Sequence, residues 1–215
     1  MDKEFFTLDQ IPTDPRDALA WVHSRYAQVF GWISDPDKLF LVKFLPEVAS
    51  EFDYPIHIVE IGTFNGGSTR GLIALTGGYL TGIDDFSAFE GDGRRHLRGQ
   101  WNSGQEQFWD TLRFHVDLSS HVKRLISDRS QNVGQTWNEP IELLLIDGSH
   151  EYEDVTSDIH LFCPYVIHQG YILIDDWNMD TVRTAADETL DNNTWERIRV
   201  PDLSTTAKLF CAKKR

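Results

Sequence analysis

Carboxylate side chains follow the first five predicted strands of the sequence. In chain order, these strands end in Glu60, Asp84, Asp128, Asp147 and the adjacent pair Asp175 and Asp176. Because ligands of an open parallel sheet bind beyond the carboxyl ends of its strands, we expect these acids to line one rim of the sheet. A single acid in such a place carries little weight, since Asp is common in turns and at helix N-caps. Five successive strands that end this way predict a ligand site.

Three of these acids are predicted to form a divalent-cation site. If the fourth and fifth strands are neighbours, their ends lie about 4.8 Å apart, so that Asp147 converges with Asp175 or Asp176. Carboxylates so close repel one another and have raised pKa values unless a cation lies among them. Oxygen ligands without a cysteine or histidine partner suit Mg²⁺ first, with Mn²⁺ or Ca²⁺ as alternatives. In a regular strand Asp176 faces away from Asp175, so one of the two could instead have a structural role.

His150 is the candidate general base of this site. It follows Asp147 by three residues, and an unperturbed imidazole titrates near neutrality. It could therefore remove the proton of a hydroxyl group whose pKa the cation lowers. Two alternatives remain open, because His150 and Asp147 both precede a predicted helix and could cap it or bond locally. Trp177, directly after the acid pair, could line an acceptor pocket or simply pack.

A glycine-rich turn connects the first strand to a helix. The apolar run that ends at Ile61 leads into Gly62, Gly66 and Gly67, and the helix is predicted to start near Thr69. Such a turn brings backbone N–H groups and a helix N-terminus close to a ligand, and a Cβ atom there would block the approach. The turn therefore predicts a ligand that lies against the main chain.

The acid of the second strand indicates what this ligand contains. Asp84 follows Glu60 by 24 residues, close to the offset of about 20 residues at which an acid binds ribose hydroxyls in nucleotide folds. The glycine spacing, Gly62-x-x-x-Gly66-Gly67, differs from GxGxxG and disfavours a NAD-type oxidoreductase. An adenosine-containing cofactor without a pyrophosphate fits the spacing better.

Alternating strands and helices must position these residues. The pattern predicts a doubly wound, mostly parallel, seven-stranded α/β sheet with a C-terminal antiparallel hairpin. Residues 1–55 are predicted to be a helical extension, and residues 56–215 the ligand-binding domain, with a variable loop at about 86–104. The predicted strands are Val59–Gly62, Tyr79–Asp85, Val122–Ser127, Ile141–Asp147, Gly170–Asp176, Arg197–Val200 and Ala207–Ala212, and the predicted later helices are Gln105–Phe114, Tyr152–Phe162 and Thr181–Leu190.

Four segments together resemble a known family. These are Glu60–Thr69, Gly82–Asp84, Leu144–Tyr152 and Gly170–Asp176. They are similar to class I S-adenosylmethionine (SAM) methyltransferases, and most to the small metal-dependent O-methyltransferases of the macrocin, mycinamicin and cephalosporin-hydroxylase-like group. The similarity covers about residues 56–180 and implies a Rossmann-like fold. The Ile-Asp-Gly-Ser-His segment with the later Asp-Asp pair is its most specific part.

The resemblance also implies roles for individual residues. Asp84 holds the ribose, Asp147, Asp175 and Asp176 match the family's metal ligands, and His150 matches its proposed general base. The cofactor-binding set predicted in this way comprises Glu60, Gly62 and Ser68 around the methionine, Ser127 and Asp128 near the adenine, and further Thr63, Phe64, Gly66, Asp84, Asp85 and Asp147.

These observations favour a SAM-dependent and divalent-metal-dependent O-methyltransferase. The predicted acceptor is a hydroxyl of a small natural product, such as a sugar or a catechol-like vicinal diol. The alternative is a non-catalytic SAM- or nucleotide-binding module that serves a partner assembly. Such a module would tend to lose Asp147, His150 or the acid pair, and all are present. Arg94, Arg95 and Arg98 in the variable loop could be a solvated surface or a lid over the acceptor.

The overall charge limits the partners. The 215 residues carry a formal net charge of −14, which disfavours binding to nucleic acid or to an anionic membrane. No apolar run reaches the roughly 20 residues of a membrane span, and the N-terminus is unlike a signal peptide, so we expect a cytoplasmic protein. Cys163 and Cys211 are expected to be buried free thiols. A homodimer remains open, because the N-terminal extension is short for enclosing an acceptor.

Overall fold

A seven-stranded sheet forms the centre of the structure. The computed structural model describes residues 12–26, 33–87, 103–113, 117–199 and 208–215. The strands are β1 (His57–Ile61), β2 (Tyr79–Ile83), β3 (Val122–Ile126), β4 (Ile141–Ile146), β5 (Val166–Ile174), β6 (Trp195–Arg197) and β7 (Phe210–Lys214). The helices are α1 (Pro15–Tyr26), α2 (Asp35–Ser50), α3 (Gly67–Thr76), α4 (Gly104–Arg113), α5 (Ser130–Gly134), α6 (Tyr152–Phe162) and α7 (Asp180–Thr189), with 3₁₀ turns at Ser119–His121 and Cys163–Tyr165.

The strand order confirms the predicted fold class. The strands lie in the order β3-β2-β1-β4-β5-β7-β6, and β7 runs antiparallel to β5 and β6 while the remaining pairs are parallel. The order reverses between β1 and β4, which places the expected ligand crevice beyond the carboxyl ends of these two strands. The predicted turn of the C-terminal hairpin, Pro201–Thr205, lies outside the described residues.

Strand boundaries differ from the sequence prediction mainly at β5. This strand begins at Val166, four residues before the predicted start at Gly170. Gln169 has a φ of +65° and the register with β4 shifts there, so the strand contains an irregularity rather than starting at the glycine. Strand β6 begins two residues before its predicted start, β7 begins three residues after, and the short helix α5 was not predicted.

Helices cover both faces of the sheet. Strand β4 is buried along its whole length, and from Leu143 to Ile146 its side chains alternate between two apolar clusters. Leu143 and Leu145 pack with α2 and α3, whereas Leu144 and Ile146 pack with α6 and α7. Helices α1 and α2, which begin at the predicted Asp-Pro sites, share the first of these clusters with the sheet. The division of the chain at residue 55 stays a prediction.

Two minor predictions concern the cysteines and the membrane-spanning potential of the helices. Cys163 and Cys211 are buried free thiols, as predicted, and burial raises the pKa of Cys163 to about 12. Among the described residues, none of the helices has both the length and the apolar character needed to cross a bilayer.

The contact between the first glycine turn and strand β4 yields a stability prediction. Gly62 has a φ of +89°, and a Cβ added there would lie 2.1 Å from the backbone oxygen of Asp147. Gly62→Ala is therefore expected to lower the free energy of unfolding by about 3 kcal/mol or more, measured by urea denaturation.

Gly148→Ala is the matched control for this prediction. Its added Cβ would meet Ile61 Cγ2 at 3.3 Å, so the expected loss is only about 1 kcal/mol. Equal losses in the two variants would contradict the close-approach argument.

Candidate active site

Glu60 anchors the helix that follows the glycine turn through hydrogen bonds. Its side chain is fully buried, one residue before the end of β1, and its two carboxylate oxygens accept hydrogen bonds from the hydroxyls of Ser68 and Thr69 on α3. Burial raises the pKa of Glu60 to about 7, against the effect of the two hydroxyl donors. The first turn of α3 is thereby tied to β1.

The turn above Glu60 has three residues with left-handed backbone. Gly62, Phe64 and Gly66 have φ values of +89°, +44° and +79°. Gly66 is the N-cap of α3, and a Cβ there would lie 3.0 Å from the ring of Phe108 on α4. The turn is therefore held between β1, α3 and α4, with its main chain facing the rim of the sheet.

Asp84 joins the first two strand ends. Its Oδ2 accepts a hydrogen bond from the backbone N–H of Phe64 at 2.7 Å, and its Oδ1 from that of Phe86 at 2.6 Å. Burial raises the pKa of Asp84 despite these two donors. A carboxylate has about four acceptor positions, so two remain for a ligand such as a ribose.

A cavity of about 490 Å³ opens at the carboxyl ends of β1, β2 and β4. Six of the eleven predicted cofactor-binding residues line it: Gly62, Phe64, Asp84, Asp85, Asp128 and Asp147. Of the others, Thr63 and Gly66 are buried in the turn, Glu60 and Ser68 are bonded to each other beneath it, and Ser127 is exposed after β3. The cavity is of the size and place expected for a small cofactor.

The far end of the cavity contains residues that the sequence analysis missed. Ser130 and Gln131 belong to the unpredicted helix α5, and Asp154 and Asp158 lie within α6. Asp158 is buried, its Oδ1 has no partner among the described atoms, and burial raises its pKa to about 7. The i, i+4 spacing of two acids on a predicted amphipathic helix was the available signal.

Asp158 yields a pH-dependent stability prediction. Its pKa of about 7 in the folded state exceeds the ordinary value of 3.8, so between these two pH values the folded state holds a proton that the unfolded state has lost. Its contribution therefore becomes less favourable as pH rises through this window. The free energy of unfolding of Asp158→Asn minus that of the wild type should rise with pH, by about 4 kcal/mol in total, and level off above pH 7.

Asp154→Asn on the same helix is the control, because it removes a partly exposed carboxylate that pairs with Arg129. Denaturant titrations at a series of pH values measure both differences. A stability difference for Asp158→Asn that stays constant with pH would refute the assignment of a buried neutral carboxyl.

The second part of the site lies where β4 and β5 end. Asp147, His150 and Asp176 each offer one ligand atom, and these atoms all lie within 4.8 Å of one another. His150 Nε2 lies 2.9 Å from Asp176 Oδ2. Hydrogen bonds donated by His150 and Lys208 lower the pKa of Asp176 to about 2. The contact with Asp176 in turn raises the pKa of His150. The structure thus brings together three of the four residues predicted for catalysis and metal binding.

Asp175 occupies a different position from its neighbour. Strand β5 ends at Ile174, and Asp176 has a φ of +53°, so the pair does not continue the strand alternation that the sequence analysis assumed. Asp175 is buried, and its Oδ1 has no partner among the described atoms. Removal from water raises the pKa of Asp175 to about 6 and raises that of Asp147, which is also repelled by Asp175.

Lys208 is a further residue of the site that the sequence analysis did not consider. Its Nζ lies 2.8 Å from Asp176 Oδ1, so that an ammonium group pairs directly with the acid cluster. Lys208 lies just before β7, 32 residues from Asp176. The apolar run that follows gave no reason to single out the lysine, because its approach depends on β7 lying next to β5.

Trp177 packs, which was one of the two roles considered for it. Its ring lies 6.4 Å from that of Phe210, and the guanidinium of Arg197 lies 4.3 Å from its centroid. The arginines predicted to form a surface or a lid, Arg94, Arg95 and Arg98, lie outside the described residues.

The sequence of this chain is similar to those of known proteins. A model of the methyltransferase domain family matches residues 59–177, which is more than half of the chain. The chain belongs to this family. An uncharacterized protein of Acanthamoeba polyphaga mimivirus is 33% identical over 123 residues, which are 55% of this chain and 50% of that protein. The chain therefore spans about half the length of this curated relative.

Solved methyltransferases share the fold. A putative caffeoyl-CoA O-methyltransferase from Staphylococcus aureus has a TM-score of 0.61 at 14% identity, over 95% of this chain and 93% of that one. A TDP-rhamnose 3′-O-methyltransferase of calicheamicin biosynthesis has a TM-score of 0.58 at 14% identity, over 96% of this chain and 89% of that one. These similarities confirm the class I SAM methyltransferase fold that the sequence predicted.

Proposed function

We propose that this methyltransferase transfers a methyl group from SAM to a hydroxyl oxygen of a small acceptor, with the help of a divalent cation. The observation that carries the proposal is the double position of Asp147. This residue lines the cofactor-sized cavity and also belongs to the group formed with His150 and Asp176. A cofactor in the cavity and an acceptor at the group would therefore meet at one side chain.

The cavity supports SAM as the cofactor. We assign the ribose hydroxyls to the free acceptor positions of Asp84, and the adenine to the far end beside Asp128. Gly62 lines the cavity, and the absence of a side chain there lets the turn approach the backbone of Asp147. Bound SAM supplies a methyl group on a positively charged sulfur. Glu60 and Ser68 contribute by fixing the turn rather than by lining the cavity.

The donor set supports a hard divalent cation. Asp147 and Asp176 offer carboxylate oxygens, and the charge of buried Asp175, whose Oδ1 has no partner among the described residues, acts on Asp147. Removal from water and mutual repulsion raise the pKa values of Asp147 and Asp175, as expected for acids that lack a counter-ion. A cation held by these oxygens would lower the pKa of an acceptor hydroxyl.

His150 is the proposed general base. Its imidazole is partly exposed, with 42% of the side chain accessible, so an acceptor can reach it. Asp176 orients the ring through the 2.9 Å contact to Nε2 and stabilises the protonated form. His150 would accept the hydroxyl proton as the oxygen bonds to the methyl carbon and the sulfur departs with its electron pair. The remaining barrier reduction comes from holding the reacting groups in line.

The proposed acceptor is a small hydroxylated molecule such as a sugar or a vicinal diol. Two fold relatives, named for a TDP-rhamnose 3′-hydroxyl and for caffeoyl-CoA, methylate oxygen according to those names, which supports this class. A cation held by the acid cluster would offer positions for the oxygens of such an acceptor.

Binding and turnover of an Asp147 variant test the proposal. S-adenosylhomocysteine should bind the wild type in the presence of Mg²⁺ and in EDTA, measured by calorimetry. Asp147→Asn should abolish methyl transfer to a diol acceptor, while its cofactor affinity changes by less than about tenfold, or 1.4 kcal/mol. Turnover that persists in EDTA would refute the metal, and absence of cofactor binding would leave the methyltransferase function without support.

The pH profile tests the role of His150. An ordinary histidine has a pKa of about 6.5. Because Asp176 stabilises the imidazolium of His150, the pKa of His150 is higher and its neutral base form appears at a higher pH. The acceptor kcat/KM should therefore rise with pH with a midpoint above this value. His150→Gln should remove the rising limb and lower the rate by about 10²–10⁴-fold. A rising limb that survives in His150→Gln would assign the base to another group.

A further inference from the structure

Lys208 competes for the carboxylate that the proposed cation needs. Its Nζ lies 2.8 Å from Asp176 Oδ1, while Asp176 Oδ2 lies 2.9 Å from His150 Nε2. Both oxygens of Asp176 are therefore engaged by groups of this chain. A cation that takes Asp176 as a ligand must replace one of these two contacts.

The position of Lys208 is built into the fold. Its backbone N–H donates to Oδ2 of Asp37 at 2.9 Å, and its backbone oxygen accepts from the N–H of Trp177 at 2.7 Å. Asp37 is fully buried and also accepts from the N–H of Leu209 at 3.2 Å. The main chain of Lys208 is thus fixed on both sides, next to the acid pair, and only its side chain is free to move.

Electrostatic repulsion opposes the presence of Lys208 and a divalent cation at Asp176 at the same time. The ammonium neutralises one of the three carboxylates, Asp147, Asp175 and Asp176, that surround the site. A divalent cation on Asp176 would lie at about 2 Å from its oxygen, close enough to Nζ for strong repulsion between the two positive charges. The long lysine side chain, 34% accessible, can swing toward solvent without moving the backbone.

We propose that Lys208 is an internal counter-ion that exchanges with a divalent cation at Asp176. In the metal-free protein the ammonium holds the acid cluster together, and it leaves Asp176 when the metal binds. Lys208 thereby sets the metal affinity of the site and is a positioning residue, since it acts through Asp176. The inference rests on the proposed function, because it requires the cation site described above.

Mn²⁺ binding to the metal-free full-length protein tests the exchange. Lys208→Met should bind Mn²⁺ about tenfold more tightly than the wild type, because the competing charge is gone. Lys208→Arg keeps the charge and should bind as the wild type does. The affinities are measured by calorimetry and by the electron paramagnetic resonance signal of free Mn²⁺.

Lys213→Met is the control for the loss of one positive charge. Lys213 pairs with Glu51 at 2.7 Å and faces Tyr171, three register positions along β7 from the end that adjoins the acid pair. Its replacement should leave Mn²⁺ affinity unchanged. In EDTA, Lys208→Met should melt below Lys213→Met, and added Mn²⁺ should raise its melting temperature more.

The outcomes separate this inference from the proposed function. If Lys208→Met binds Mn²⁺ as weakly as the wild type, or more weakly, the exchange is refuted, although the metal site stands. If no variant binds Mn²⁺ while S-adenosylhomocysteine still binds, the exchange and the metal are both refuted, and the cofactor assignment stands. If S-adenosylhomocysteine does not bind either, the methyltransferase function itself fails.

Discussion

The site depends on the close approach of the main chain after β1 to the main chain after β4. The N–H of Asp147 donates to the backbone oxygen of Ile61 at 2.8 Å, and the N–H of Gly62 donates to that of Ile83 at 2.9 Å. The three strand ends are therefore locked in register. Because the space next to Gly62 is filled by the backbone of Asp147, only glycine fits there. This packing places Asp147 at the border between the cavity and the acid cluster.

A second constraint is electrostatic. Several carboxyl groups are withdrawn from water in one small region, and each keeps a proton more tightly than usual or finds a positive partner. Glu60 is served by two hydroxyls, and Asp176 by His150 and Lys208. Such an arrangement is costly for folding, and acids in this state are typical of sites that bind a ligand or a cation. The cost is concentrated where β1, β4 and β5 end.

Most of the fold could be predicted from the sequence because apolar runs and glycine turns report directly on buried parallel strands. The exceptions are physical. The first four residues of β5 were not predicted as strand, because His168, Gln169 and Gly170 are polar or flexible residues typical of turns. In the structure they form an irregularity inside the strand. Helix α5 has five residues, too few to show a period.

The site was predicted less completely than the fold, for a similar reason. Asp147, His150 and Asp176 lie shortly after the ends of β4 and β5, so their proximity follows from the pairing of these two strands. Lys208 meets Asp176 only because β7 inserts between β5 and β6, a tertiary fact that no local pattern contains. The left-handed backbone of Asp176, which follows the end of β5 at Ile174, was likewise not predicted from the sequence.

The insertion of β7 also has a consequence for how the chain folds. Among the described residues, β6 pairs with β7 alone. Asp37 in α2 accepts hydrogen bonds from Lys208 and Leu209, which follow it by 171 and 172 residues. Contacts of such sequence separation form late, after local helices and the first strand pairs. During synthesis, the parallel strands can assemble before β7 has left the ribosome. The acid cluster then acquires Lys208 only after β7 has joined the sheet, so a nascent chain can form the cavity before it forms the ion pair between Lys208 and Asp176.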